Sequence, residues 1–303
     1  MTGKARPPGG PRRPRRGQAP RADVPAGRRA PERRASERGR AAARDPARRQ
    51  PRGLGGEQVE GRRAVRELLA AGRRRVRDVW LAEGLDDSPL LAEIRTLAAE
   101  RGVRLRTVGR SRLDAESRTE VPQGVLAHAE AVPEADLDVL CRASPTGPSP
   151  FLVVLDGVTD PHNLGALLRT AEGAGATGAV LARHGAAHVT PTVAKAAAGA
   201  IERLPIAVVP SVPGGLADLA RHGVWTVGLD SRADTSLFGL SLADQPLALV
   251  LGSEGRGLAR LTRQRCDLVV AIPAVGSLAS LNVAAAGAVA CFEVARQRLA
   301  LSY

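Results

Sequence analysis

Apolar residues recur at helix and strand spacings from about residue 57 onward and are nearly absent before it. Val65, Leu68 and Leu69 stand three and four apart and predict a helix soon after Gly61. Residues 76–81 predict a strand, and residues 90–101 a helix with Leu91, Ile94, Leu97 and Ala98 on one face. Residues 103–108 alternate apolar and polar as a half-buried strand does, and 124–129 predict a further strand. Residues 57–131 therefore read as a small α/β domain. Pro, Ser and Gly crowd positions 143–150, which marks 132–150 as a linker. Beyond it, short apolar strands (151–155, 179–181, 206–209, 224–228, 247–251, 269–272) alternate with helical stretches (164–173, from 191, 216–221, 281–299). That rhythm makes 151–303 an α/β domain with a mostly parallel sheet. Thr190-Pro191 supplies one helix start, Thr as N-cap and Pro at the first position.

Charge separates the first segment from the rest. Residues 1–53 hold 17 basic residues and four acids, a net of +13, whereas the remaining 250 residues balance at 27 of each sign. Residues 1–56, rich in Arg, Pro, Ala and Gly, bury too little apolar surface to offset ordering entropy and read as a disordered basic arm. A neutral body with a polycationic arm suits a polyanionic partner, nucleic acid first, with an affinity that falls steeply with salt. Cys141, Cys266 and Cys291 lie far apart with no ligand spacing, which argues against a zinc site and a disulfide framework and fits a reducing, cytoplasmic setting. No apolar run reaches the ~18 residues of a membrane span, and the start lacks a signal-peptide core. With aromatics at 2%, a face of stacked aromatic rings for RNA is excluded.

In parallel α/β sheets ligands bind beyond the carboxyl ends of strands, and three such segments carry unusual residues. The first, Asp156 to Gly165, leads into a helix bearing Arg169; Asn163 reads equally as a helix cap and Arg169 as a surface charge. The second, Leu251-Gly252-Ser253-Glu254-Gly255-Arg256-Gly257-Leu258, admits close backbone approach but carries neither a GxGxxG fingerprint nor a Walker loop. Glu254 there favours a polar site over packing. The third, Ile272 to Val283, offers Ser280 as an N-cap and Asn282 in the first turn of an Ala-rich helix; no GxSxG elbow supports a serine nucleophile.

Together the three segments resemble the three motifs of the SpoU/TrmH-type RNA 2'-O-ribose methyltransferases of the SPOUT superfamily: Asn163 to Arg169, Leu251-Gly252-Ser253-Glu254-Gly255, and Ile272-Pro273 with Ser280-Leu281-Asn282-Val283. Residues 59–65 and 123–125 resemble that family's small substrate-binding domain. The resemblance covers about residues 57–299 and omits only the arm. It implies S-adenosylmethionine as donor with no metal, a ribose 2'-hydroxyl of RNA as acceptor, an obligate homodimer and a deep trefoil knot, which ordinary connection rules disfavour. It carries catalytic roles to Asn163, Arg169, Glu254, Ser280 and Asn282, and donor contacts, largely through backbone, to Gly252, Ile272 and Leu281. A guanidinium offers no acceptor, so Arg169 is expected to stabilise the developing alkoxide and hold a phosphate, with Glu254 orienting it or taking the proton through water. The extra N-terminal domain favours guanosine in 23S rRNA; the alternatives are tRNA guanosine methylation, self-protecting rRNA methylation, or a ribosome-assembly factor that binds rRNA without catalysis.

Overall fold

The computed structural model describes residues 54–143, 147–184, 188–241, 244–276 and 280–301. The expectation of a disordered arm falls, but for its last three residues, outside the described residues. In the small domain the elements run β1 (Gln58–Glu60), α1 (Arg62–Ala71), β2 (Val76–Ala82), α2 (Pro89–Glu100), β3 (Arg104–Val108), α3 (Arg110–Glu116) and β4 (Val125–Ala129). Its sheet has the order β1-β4-β2-β3, with β2 and β3 parallel and β4 antiparallel to both its neighbours. Alternation along the strands divides the core: Val79, Leu81, Val125 and Ala127 pack with Leu68, Leu69, Leu91 and Ile94 of α1 and α2, while Trp80, Ala82 and Leu126 pack with Leu113 of α3. The half-buried strand expected at 103–108 is corrected. β3 is the terminal strand of its sheet among the described residues, and only Val108 in it is buried.

The larger domain continues with β5 (Glu134–Ala135), α4 (Leu137–Cys141), β6 (Phe151–Asp156), α5 (Pro161–Gly173), β7 (Gly178–Ala182), α6 (Pro191–Ala196), β8 (Ile206–Val209), α7 (Val212–Arg221), β9 (Trp225–Leu229), β10 (Thr235–Ser236), β11 (Leu247–Gly252), α8 (Arg260–Arg265), β12 (Leu268–Ala271) and α9 (Val283–Leu301). Eight strands in the order β10-β12-β9-β11-β6-β7-β8-β5 form one sheet, and each of its pairs is parallel. Both faces are covered, which is why these strands read as apolar runs: Phe151, Val153 and Leu155 enter one core, Leu152 and Val154 the other. Thr190 caps α6 as expected, accepting from the Val193 amide at 3.3 Å.

Two stretches differ from expectation. The linker contains β5, which pairs with β8, and α4, whose Asp136 cap accepts from Asp138 N–H at 2.9 Å. Leu54–Gly56, expected in the arm, are packed: Leu54 is buried, Gly55 forms a parallel bridge with Val189, and the Val132 amide donates to the Gly55 carbonyl at 2.8 Å. Gly55 has φ of 87°, and a Cβ there would meet the Val189 carbonyl oxygen at 2.8 Å, so both conformation and space require glycine.

Polar contacts fix the small domain against the larger one. Arg74, just beyond α1, forms a buried two-pronged ion pair with Glu202, Nε to Oε2 at 3.0 Å and Nη2 to Oε1 at 2.5 Å. Its remaining nitrogen donates to the carbonyls of Gly56 and Glu130. Arg203 reaches Glu67 of α1 at 2.7 Å, and Lys195 of α6 donates to the Val121 carbonyl at 2.5 Å.

Candidate active site

The site grows from three strand ends. β6 ends at Asp156, and α5 starts after a short loop, with Asp160 as cap to His162 N–H (3.1 Å) and Pro161 at its first position. That start places Asn163 in the first turn, buried. β11 ends at Gly252 and turns back on itself, Ser253 and Gly257 exchanging backbone hydrogen bonds of 3.0 and 2.9 Å, so Glu254 sits at a tight tip. Gly255 and Gly257 hold φ of 79° and 68°, which the turn needs and other residues resist. β12 leads through Ile272 to Asn282, the cap of α9, whose Oδ1 accepts from Ala284 N–H at 2.8 Å and Ala285 N–H at 3.3 Å. The cap expected of Ser280 therefore belongs to Asn282; Ser280 lies two residues upstream and is exposed.

With its oxygen occupied by the helix, Asn282 turns its amide group inward. Nδ2 donates to Asn163 Oδ1 at 3.1 Å and to Glu254 Oε1 at 3.2 Å, while Asn163 Nδ2 donates to Glu254 Oε2 at 3.0 Å. All three motifs thus close into one hydrogen-bonded triangle. The Glu254 carboxylate is held by neutral amide donors, and among the described residues it forms no ion pair, which leaves its charge free to act on a ligand. Beside the triangle lies a cavity of about 420 Å³ lined by Gly157, Thr159, Asn163, Glu254 and Val283.

Arg169 stands apart. Six residues beyond Asn163, it projects from α5 about 120° away around the helix axis, is exposed, and lines a different cleft shared with the small domain. The expected contact in which Glu254 orients Arg169 within one chain is absent among the described residues; Glu254 is engaged with the two asparagines instead.

Two of the donor candidates sit at nearby strand ends, since β12, β9 and β11 are adjacent in the sheet, Gly252 ends β11 and Ile272 follows β12. A Cβ on Gly252 would lie 2.1 Å from the Gly257 carbonyl carbon and 2.3 Å from its oxygen, so only glycine lets the turn fold back so closely. Ile272 packs partly against the core, and Leu281 is 51% exposed, an apolar surface at the same rim. This set fits a ligand gripped by backbone groups and small apolar contacts.

Sequence reasoning missed Asp230, which follows β9 between these loops. Arg232 and Arg263 both donate to it, and these bonds, Arg232's first, hold its carboxyl down at about 2, so it stays ionised and ties α8 to the strand end. Its signal, a single Asp beyond a strand, is too common to single out. The three thiols are free and pushed up by burial, Cys141 to about 11 and Cys266 and Cys291 to about 12, which removes them as nucleophiles. Among the described residues no His, Cys, Asp and Glu cluster could hold a metal, and no helix is long and apolar enough to cross a membrane.

Comparison with known proteins places this geometry. Residues 150–292 match the SpoU rRNA Methylase family and residues 58–135 the RNA 2'-O ribose methyltransferase substrate binding domain. A protein of Haemophilus influenzae named 23S rRNA (guanosine-2'-O-)-methyltransferase RlmB is 40% identical over 247 residues, 80% of this chain and 98% of its own length. The chain belongs to the SpoU methylase family. A Pseudomonas syringae protein of the same name is 42% identical over 247 residues, covering 80% of this chain and 97% of that one. Among solved structures, the SpoU methyltransferase AviRb from Streptomyces viridochromogenes, in complex with AdoMet, aligns over 80% of this chain and 90% of its own with a TM-score of 0.67 and 30% identity. All five catalytic and three donor candidates fall inside the matched SpoU segment.

Proposed function

We propose that this chain transfers the methyl group of S-adenosylmethionine to the 2'-hydroxyl of a guanosine in 23S rRNA, acting as a cytoplasmic homodimer. The observation that carries the reading is the Asn163–Glu254–Asn282 triangle, which joins three distant motifs at the carboxyl ends of a parallel sheet. Substrate and nucleotide rest on the names of full-length relatives about 40% identical.

Bound in the loops of Gly252, Ile272 and Leu281, the donor supplies an electrophilic methyl on a cationic sulfur, so the chain need only place the acceptor oxygen in line and stabilise it as it loses its proton. Asn163 and Asn282 fix Glu254, whose carboxylate takes that proton through water. Ser280, exposed at the same rim, holds the ribose. Arg169 stabilises the alkoxide and holds the neighbouring phosphate with its planar fork.

Two features support the dimer. Arg169 and the triangle open onto separate cavities of one chain, so a second copy is the simplest way to complete the site. In addition, Val289, Phe292 and Leu299 form an exposed apolar stripe on α9, 36%, 53% and 61% accessible, as an isologous contact requires. The deep knot belongs to the same reading: β11 enters the sheet between β6 and β9, two strands that precede it. The arm's charge adds RNA affinity.

The test is transfer of label from tritiated S-adenosylmethionine to unmodified 23S rRNA and, separately, unmodified tRNA, with mapping of the product nucleotide. Label in rRNA as 2'-O-methylguanosine is the expected result. Label in tRNA alone overturns the substrate, and tight RNA binding without transfer to either overturns the activity. A related expectation concerns Gly252→Ala, whose new Cβ collides with the Gly257 backbone. Calorimetry should show S-adenosylmethionine affinity reduced by at least about tenfold in a folded protein, equivalent to about 1.4 kcal/mol; wild-type affinity would remove this turn from the donor site.

A further inference from the structure

Between the two domains lies a cleft of about 730 Å³, within the size range of small-ligand pockets. Arg62 and Arg63 at the start of α1, Arg110 at the start of α3, Arg169 on α5 and Lys195 on α6 all line it. Among the described residues, none of these five cations is matched to a carboxylate. Several other arginines do have one: Arg203 pairs with Glu67, Arg74 with Glu202, Arg232 and Arg263 with Asp230, Arg296 with Glu293. In the cleft, Arg62 donates only to neutral oxygens of Gln123 and Ser88, and Lys195 only to the Val121 carbonyl. The side chains of Arg63, Arg110 and Arg169 have no hydrogen bond or ion pair among the described residues.

Two acids share the wall with the five cations, which leaves the lining with a net charge of +3. Glu60 is fully buried and its carboxylate is saturated by Gln58, the amides of Arg118 and Thr119, and the Thr119 hydroxyl. Asp86 forms no ion pair among the described residues. Backbone strain collects at the same place: Gln123 and Ala198, the two non-glycine residues with positive φ among the described residues (58° and 49°), both line the cleft. No aromatic ring lines it, which leaves charge rather than base stacking as the means of holding a ligand.

We propose that this cleft is a binding site for the phosphates of a single-stranded segment of the acceptor RNA, gripped jointly by the small domain and by Lys195 of the larger one and running past Arg169. The proposal deepens the functional reading and rests on RNA being the acceptor. It assigns Arg63 and Arg110 to phosphates rather than to the reacting atoms, so their loss weakens RNA binding without slowing the saturated reaction.

The experiment compares the full chain with Arg63→Ala/Arg110→Ala and with a control, Arg95→Ala/Arg142→Ala, which removes equal charge from exposed arginines outside the cleft. Affinity for a single-stranded fragment of unmodified 23S rRNA is followed by fluorescence anisotropy across a salt series, with melting temperatures confirming folding. Expected in the cleft variant are an affinity loss of about tenfold or more and a decrease of about 1.4 in the magnitude of the slope of log affinity against log salt, about 0.7 for each lost phosphate contact. The control stays within about twofold of the parent, and KM for RNA rises in the cleft variant while kcat and S-adenosylmethionine affinity hold. An unchanged slope in the cleft variant, or equal losses in both variants, overturns the site; a larger effect on a duplex of the same sequence overturns the single-strand assignment. Because binding is read without turnover, failure of the chain to methylate 23S rRNA sinks the functional reading and leaves this result standing or falling by itself.

Discussion

Arg169→Ala is expected to lower kcat by about 10²–10³ with little change in S-adenosylmethionine affinity, the usual cost of removing one group aimed at charge that develops in a transition state. Arg169 carries no internal partner among the described residues, so its removal strands no buried group and folding should be unaffected. Arg169→Lys keeps the charge and loses the fork; its rate should fall between the two, and wild-type turnover would refute the two-pronged role. Geometry adds a sharper test, because Arg169 and the Glu254 triangle open onto different cavities of one chain. Refolding Arg169→Ala together with Glu254→Ala, each strongly impaired alone, should restore up to about a quarter of wild-type activity: half of the dimers are hybrids, and one of the two sites in each is intact if the arginine acts across the interface. No recovery would place Arg169 and Glu254 of the same chain in one site.

How much of this was legible in the sequence depends on how far each signal travels along the chain. The parallel sheet was readable because each strand, buried on both faces, declares itself within a few residues, as Leu247 to Leu251 do. The three motifs were readable because each is contiguous. Their union was not, since which amide meets which carboxylate depends on where α9 begins. Ser280 and Asn282 are both good caps by composition, and the choice of Asn282 frees its Nδ2 for Asn163 and Glu254. The strand β5 was hidden because two residues carry no periodicity and pair only through the distant β8. Hidden too was the cleft, whose cations at 62, 63, 110, 169 and 195 come from separate segments that only the fold brings together. Lys195, one of two lysines in the chain, was its faintest available clue.

Arg74→Ala or Glu202→Ala should cost about 3–5 kcal/mol, read as a lower urea midpoint, because either change leaves an uncompensated charge where both side chains are almost wholly buried, 2% and 3% accessible. The pair itself is a different matter from its loss. Desolvating two ions consumes much of what their attraction returns, so Arg74→Met/Glu202→Leu should recover a large part of the deficit. Recovery should be incomplete, since Arg74 also satisfies the carbonyls of Gly56 and Glu130, and each buried acceptor left alone costs about 1–3 kcal/mol. If both single variants cost under about 1 kcal/mol, water reaches the pair and this account of it fails. What the apolar double cannot restore is direction. A two-pronged bond between Arg74 and Glu202 fixes an angle as well as a distance, and it lies at the junction that carries Arg62 and Arg63 toward Lys195 and Arg169. The double variant should therefore be more stable than either single variant yet still show a raised KM for RNA with S-adenosylmethionine affinity intact, separating the pair's part in holding the domains together from its part in aiming the cleft.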